Sequence, residues 1–480
     1  MPMQPHSTRR PRPFEWLLAA VITVVAGFIF LNASLLSTYD AFHIDLSINL
    51  VASDALQDGE SPYGRTTLRE RAEALGSPTQ DVYSQLFTSY IQPPTSAMLL
   101  TPLSFLPWRD ATRAGLVFNH VILLAAVGLT LYTMRPALSL PWLIAGATVV
   151  LAAFSQVYSS FVLGQWDATL LLLLCIAFWA AATRHDPIAG IAIALAAAIK
   201  LVPALLLLYF LWRGRYQIVA WGFGAGAGLF LVSLAYAGVD IYRTYLTDSL
   251  PSLLKGSTHY SNNTVQALIA RASTPEVING LAEVDYLDEV PSGLSARLAS
   301  SAVTIAVLAA VALILGRPRR ADLPRERLFA EFYLVVTAGL LISSVTWEFY
   351  AVWLLPVFLA VFLAPSRLIP AAPLLRFGLL AALAFAFIGL NYPGDFWLFP
   401  PDFAMFDPGH ALHHPDWVPG VWVEDKLRLY HNHLDAVLLL RLPALLLTAA
   451  ALAAIALLWR RHEDEMPPEV VPAASKASAS

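Results

Sequence analysis

The chain has 480 residues, of which 57% are hydrophobic and only 13% charged, with a formal net charge of −4. A soluble domain carries about a quarter charged residues, so this composition excludes a soluble globular protein and points to a polytopic membrane protein. The single cysteine, Cys175, rules out an internal disulfide and reads, within LLLLCIAF, as a small hydrophobe.

In chain order, residues 1–13 form a basic flank (MPMQPHSTRRPRP) before an apolar run from Phe14 to Leu36. A cleaved signal peptide has a shorter apolar core and a small-residue cleavage site, so a retained first span with its basic flank in the cytoplasm is expected. Further spans are predicted at Gly115–Met134, Pro141–Tyr158, Ala168–Thr183, Ile218–Ala237, Arg297–Leu315, Phe329–Ser344, Ala351–Ala364, Leu375–Leu390 and Ala436–Trp459, following the first at Trp16–Leu36.

The stretch Ile188–Trp212 contains Lys200 and Pro203, yet basic residues flank both of its ends: Arg184 on one side, Arg213 and Arg215 on the other. Its first limb, ending at Leu201, covers about 20 Å of helix, short of a ~30 Å hydrocarbon core. Two short limbs meeting near Lys200–Pro203 put every basic cluster on one side. An all-α bundle of about twelve transmembrane helices is then expected, with both termini cytoplasmic. One transmembrane domain, 14–459, is predicted, with outer loops at 39–112, 238–296 and 391–434 and short amphipathic helices among them. The stretch 460–480 reads as a disordered cytoplasmic tail. No repeat of fixed period is visible, unlike many secondary transporters.

Several residues have the chemistry to act. Asp45, just beyond the first span, is either a general base for an acceptor hydroxyl or an N-terminal helix cap. Asp54 and Asp58 read as structural, Asp58-Gly59 as a helix stop. Lys200 sits at membrane depth with no acid nearby in sequence; it either holds a phosphate or snorkels to the surface. In FVLGQWDATLL, Gly164 permits a tight turn, while Gln165 and Asp167 either bond a sugar or cap the next helix.

In the second outer loop, Asn263 and Gln266 are placed on one helical face with Ala270, as sugar-reading amides, and Arg271 beside them could grip a phosphate. Trp347 and Glu348 open another outer end; the tryptophan fits an interfacial belt or a sugar platform, and the glutamate is a second carboxylate. His410, His413, His414, His431 and His433 match no closed zinc spacing, and no metal site is expected.

Taken together, Asp45 followed by GESPY, then IQPPTSAMLLTPLSFLP, GQWDATLLLLL and AGIAIALAAAIKLVPALLLLYFLWRGRY resemble glycosyltransferase family 87, within the GT-C superfamily. The similarity spans roughly Phe14 to Leu363. It implies a GT-C-like fold and an inverting transfer of a hexose, mannose foremost, from a polyprenyl-phosphate donor to a glycan or glycolipid acceptor at the outer face of the plasma membrane. No cofactor and no nucleic acid are implied, and no DxD motif for a metal-bound nucleotide is present. Asp45 matches the family's loop carboxylate and Lys200 its Lys-x-x-Pro lysine. The chain departs from the family in having Glu348 where a histidine often follows the tryptophan. Two other readings remain open: a flippase or transporter of a lipid-linked sugar, which needs no acid beside the acceptor, and a ligase or polymerase using a diphosphate donor.

Overall fold

The computed structural model describes residues 12–41, 43–75, 90–256, 262–273, 294–316, 323–391 and 440–465. Among these there is no strand, only an isolated antiparallel bridge between Asn262 and Trp347. The helices are α1 (Pro13–Leu31, continued by a π-turn Asn32–Leu36), α2 (Ile44–Gln57), α3 (Arg65–Ala74), α4 (Pro94–Ser104) and α5 (Trp108–Met134). Then follow α6 (Leu140–Ala153), α7 (Ser155–Leu163), α8 (Asp167–Ala182), α9 (Asp186–Ile199), α10 (Leu205–Trp212) and α11 (Tyr216–Ala237). The second half holds α12 (Val239–Thr244), α13 (Leu250–Lys255), α14 (Val265–Ser273), α15 (Leu294–Leu315) and α16 (Arg325–Ile342). It closes with α17 (Leu355–Leu363), α18 (Pro365–Leu368), α19 (Pro373–Leu390) and α20 (Leu442–Glu465).

Proline punctuates the starts. Pro13, Pro94, Pro141 and Pro373 all stand in the first helical positions, where the missing N–H costs nothing.

The predicted all-helical membrane architecture is present; the expected count of about twelve spans, two of them short limbs, is not confirmed among the described residues. Among the described residues six helices are long and apolar enough to cross a bilayer, seven if α6 and α7, bent by 61° at Phe154, are one broken span. Segments α8, α9, α10 and the stretch Glu348–Leu363 are shorter. Sequence hydropathy counts apolar runs, whereas spanning needs length. These runs are cut short by turns that converge on one place, described below.

Helix α16 is the axis of the bundle, buried almost continuously from Arg327 to Leu341. Phe178 of α8 packs edge-on against its Phe329 and Phe332, with ring centroids 5.2 and 5.8 Å apart. By contrast α1 and α15 leave most of their apolar surface outward, as lipid-facing helices do. Between α9 and α11 the backbones meet closely: a Cβ on Gly190 would lie 2.3 Å from the Ile218 carbonyl oxygen. Small residues permit such approaches, on which helix association in lipid relies.

The two ends of the bundle differ sharply. At one end Arg215 pairs with Asp186 and donates to the Ala181 carbonyl at 3.1 and 3.2 Å. The chain from 186 to 215 therefore returns to the level at which it left, as two limbs do. At this same end Trp212 bonds the Gly316 carbonyl (2.8 Å), Arg325 the Thr133 carbonyl (2.8 Å) and Trp459 the Leu368 carbonyl (2.8 Å). Arg327 meets Glu463 at 2.8 Å. The basic loops thus gather at one end of the bundle. The other end carries α2, α3, α4 and the turn at Gly164.

Candidate active site

Two antiparallel helices, α8 and α9, rise from the basic end and deliver Asp167 and Lys200 to about the same height. Each helix covers roughly 20–24 Å at 1.5 Å per residue. Helix α9 stops at Lys200, whose backbone is extended (φ −140°, ψ 133°), because Pro203 cannot continue the hydrogen-bond ladder. The Lys200 ammonium meets Asp167 Oδ1 at 3.0 Å and donates to Gln165 Oε1 at 3.3 Å. Its side chain is 11% exposed, so it does not snorkel to a surface. The Tyr350 ring lies beneath it, centroid 3.6 Å from Nζ, and stacks on Trp353.

Asp167 is fully buried and heavily committed. Besides Lys200 it accepts from Trp353 Nε1 (2.9 Å) and Ser160 Oγ (3.2 Å). The expectation of a sugar ligand gives way here: its carboxylate is the counter-charge of Lys200 and makes no capping bond at the start of α8. Sequence proximity hid this acid, which stands 33 residues before the lysine.

Asp45 lies in the first turn of α2 but does not cap it; the preceding cap position, His43, makes no side-chain cap bond either. Its Oδ2 instead accepts a hydrogen bond from Gln165 Nε2. Gly164 makes that possible. With φ +71° it reverses the chain after α7, and any Cβ there would sit 2.6 Å from the Leu46 Cβ and 3.0 Å from the His43 Cβ. The turn thus packs directly on the first turn of α2. His43 Nδ1, at 2.9 Å from the Phe161 carbonyl, fastens the same junction. Burial pushes the half-buried Asp45 carboxyl up to about 6, against the lowering effect of the Gln165 bond and of Lys200.

Asp45, Gln165, Asp167 and Lys200 therefore form one connected group. The remaining predicted residues have other hydrogen-bond or ion-pair partners among the described residues, or lie outside them. Glu348 is paired with Arg441, itself 3% exposed, at the start of α20. Trp347 is half-buried beside Asn262 in the isolated bridge. Asn263 precedes α14, its N–H bonding the Thr346 carbonyl at 2.8 Å, so it does not share a helical face with Gln266. Gln266 donates to the Lys255 carbonyl at 3.1 Å. Arg271 falls in α14, and its side chain lies outside the described residues, as does the histidine-rich loop. Sequence reasoning gave no role to Trp353, Tyr350 or Ser160. A tryptophan inside an apolar run was the available signal, since a buried indole N–H needs an acceptor.

Comparison with known proteins gives the chain its class, a membrane glycosyltransferase. A profile of glycosyltransferase family 87 matches residues 90–344, more than half of the chain, and the protein belongs to that family. Similar to it is a polyprenol-phosphate-mannose-dependent alpha-(1-2)-phosphatidylinositol mannoside mannosyltransferase of Mycobacterium tuberculosis, 28% identical over 72% of this chain and 75% of the relative. Its namesake from Mycolicibacterium smegmatis is 25% identical over 71% and 74%. A Mycobacterium tuberculosis alpha-(1-2)-phosphatidylinositol pentamannoside mannosyltransferase with the same donor dependence is 28% identical over 60% of this chain and 62% of its own length.

Proposed function

We propose that the protein transfers a hexose, mannose foremost, from a polyprenyl-phosphate donor to a hydroxyl of a glycolipid acceptor, with inversion at the anomeric carbon. One observation carries the reading: a half-buried carboxylate and a buried ammonium are joined through a single amide side chain. The names of the related mycobacterial enzymes support the donor and the glycolipid class of acceptor.

In this reaction Asp45 takes the proton of the acceptor O–H. The acceptor oxygen forms its bond to the anomeric carbon from the face opposite the phosphate. The bond from that carbon to the phosphate oxygen breaks, and polyprenyl phosphate leaves with the electron pair. Lys200 stabilises the charge growing on the phosphate. Its ammonium has three N–H groups, two of which bond Asp167 and Gln165 while the charge also rests on the Tyr350 ring. In the proposed reaction the donor phosphate draws on this same charge. A positioned base contributes about 10²–10⁴-fold.

The basic loops at the far end belong in the cytoplasm, so the site faces the outer leaflet of the plasma membrane. The test uses purified protein in lipid vesicles with polyprenyl-phosphate mannose and phosphatidylinositol mannosides, and the product linkage is determined. Transfer with inversion from the monophosphate donor is expected. Turnover only with a polyprenyl diphosphate sugar, or lipid movement without a new glycosidic bond, would overturn the proposal.

A further inference from the structure

Gln165 occupies a position that only a carboxamide can fill. On one side lies Asp45, an acceptor; on the other lies the Lys200 ammonium, a donor. A carboxamide offers N–H to the first and C=O to the second, and the reverse orientation would oppose like partners on both sides. The backbone of Gln165 is held as firmly as its side chain. Its N–H bonds the Ser160 carbonyl at 2.9 Å, and its own carbonyl accepts from the buried Asn119 Nδ2 at 3.2 Å. The residue is 7% exposed, whereas Asp45 is half-buried, and Asp45 Oδ1 has no hydrogen-bond partner among the described residues.

We propose that Gln165 is a positioning residue that holds Asp45 Oδ2, leaving Oδ1 as the oxygen that meets the acceptor hydroxyl, and couples this base to the cation that receives the donor phosphate. The inference rests on the proposed roles of Asp45 and Lys200 and adds to them. A phosphate drawing on the ammonium weakens its hold on Gln165 Oε1, and the amide's polarity toward Asp45 falls in step. Occupancy of the donor site is thereby felt at the base through one side chain.

The experiment compares Gln165→Met, which keeps the volume and loses both bonds, with Gln165→Glu, which keeps the bond to Lys200 and sets a second carboxylate against Asp45. Asp45→Asn is measured beside them. For each, kcat, the KM for donor and acceptor, and the acidic limb of the pH–rate profile are determined on protein matched for melting temperature. Gln165→Met is expected to lower kcat about 10- to 100-fold, with the acidic limb moved to higher pH and the donor KM changed less than threefold. In Gln165→Glu the limb should move further, by at least one pH unit. An unmoved limb in both variants overturns the inference, and so does a rise confined to the donor KM. If that happens while Asp45→Asn is inactive, the proposed reaction stands and the role of Gln165 falls alone. Full transfer by Asp45→Asn overturns both.

Discussion

Two buried charge networks stand at opposite ends of this bundle, and they are built differently. At the basic end Glu331, 1% exposed, accepts from Tyr209 (3.0 Å) and Arg213 Nε (2.9 Å) on one oxygen. Its other oxygen meets Arg213 Nη2 and Arg327 Nε, the latter at 2.9 Å. Arg213 also donates to the Leu315 carbonyl, and Arg327 continues to Glu463. Both oxygens of Glu331 are satisfied twice, and four helices, α10, α15, α16 and α20, are tied together. At the other end Asp45 Oδ1 accepts no hydrogen bond among the described residues, while the Lys200 ammonium, bonded to Asp167 and Gln165, also rests on the Tyr350 ring. A closed network fastens helices; one with an oxygen left open suits the role proposed for it.

The first way to break that comparison is Asp45→Asn. Turnover should fall about 10²–10⁴-fold, while the melting temperature at pH 7 holds or rises. The sign follows from the raised carboxyl: the folded protein binds this proton more tightly than the unfolded chain, so Asp45 destabilises the fold as pH climbs from about 4 to about 6. Any stabilisation by the amide should therefore vanish near pH 4. Melting curves of wild type and variant at both pH values decide it. A catalytic carboxylate that also supported the fold would melt lower in the variant.

The opposite result is expected of Glu331→Ala. Removing the shared acid leaves two buried guanidinium groups short of a partner, at a cost of about 3–5 kcal/mol. The amount of folded protein in the membrane should drop, with turnover per folded molecule within twofold of wild type. A specific loss of turnover would show that the basic end acts in the chemistry.

Lys200→Met sharpens the comparison because it affects both properties. It should reduce turnover about 10²-fold and also lower abundance, since Asp167 is then buried without its counter-ion. Adding Asp167→Asn to the same chain should restore abundance but not turnover. Restored turnover would remove Lys200 from the reaction.

The smallest effect is the pH dependence of the wild type. Below about pH 6 the Asp45 carboxyl is protonated, so on the proposed role kcat should decline about tenfold per unit and level off above pH 7. An acidic limb centred near pH 4 would mean that the carboxyl is solvated during turnover.

Much of this arrangement was legible in the sequence, and the illegible part has a common cause. Hydropathy located the apolar segments, and the basic residues around Arg184, Arg213 and Arg215 identified the returning pair of limbs. A lysine at membrane depth and a carboxylate after the first span were recognisable as chemistry out of place. What a local window cannot supply is the partner. Asp167 looked like a cap or a sugar ligand, because its role depends on Lys200 and Trp353, which are distant in the chain. Glu348 reads from the sequence as a second carboxylate, and its partner Arg441 is likewise distant in the chain. The face expected to join Asn263 with Gln266 assumed a helix two residues too early. Helix length is hidden for a related reason, since it is set where turns are anchored, at contacts such as Arg215 with Asp186.

The scattering of the site along the chain bears on how the protein is made. Asp45 enters the membrane region early, but Gly164 and Gln165, which hold its helix and its carboxylate, are synthesised long afterwards, Lys200 later still, and Trp353 last. No nascent or truncated product that stops before Trp353 can carry the assembled geometry. Assembly of the complete group accordingly waits until synthesis has passed Trp353.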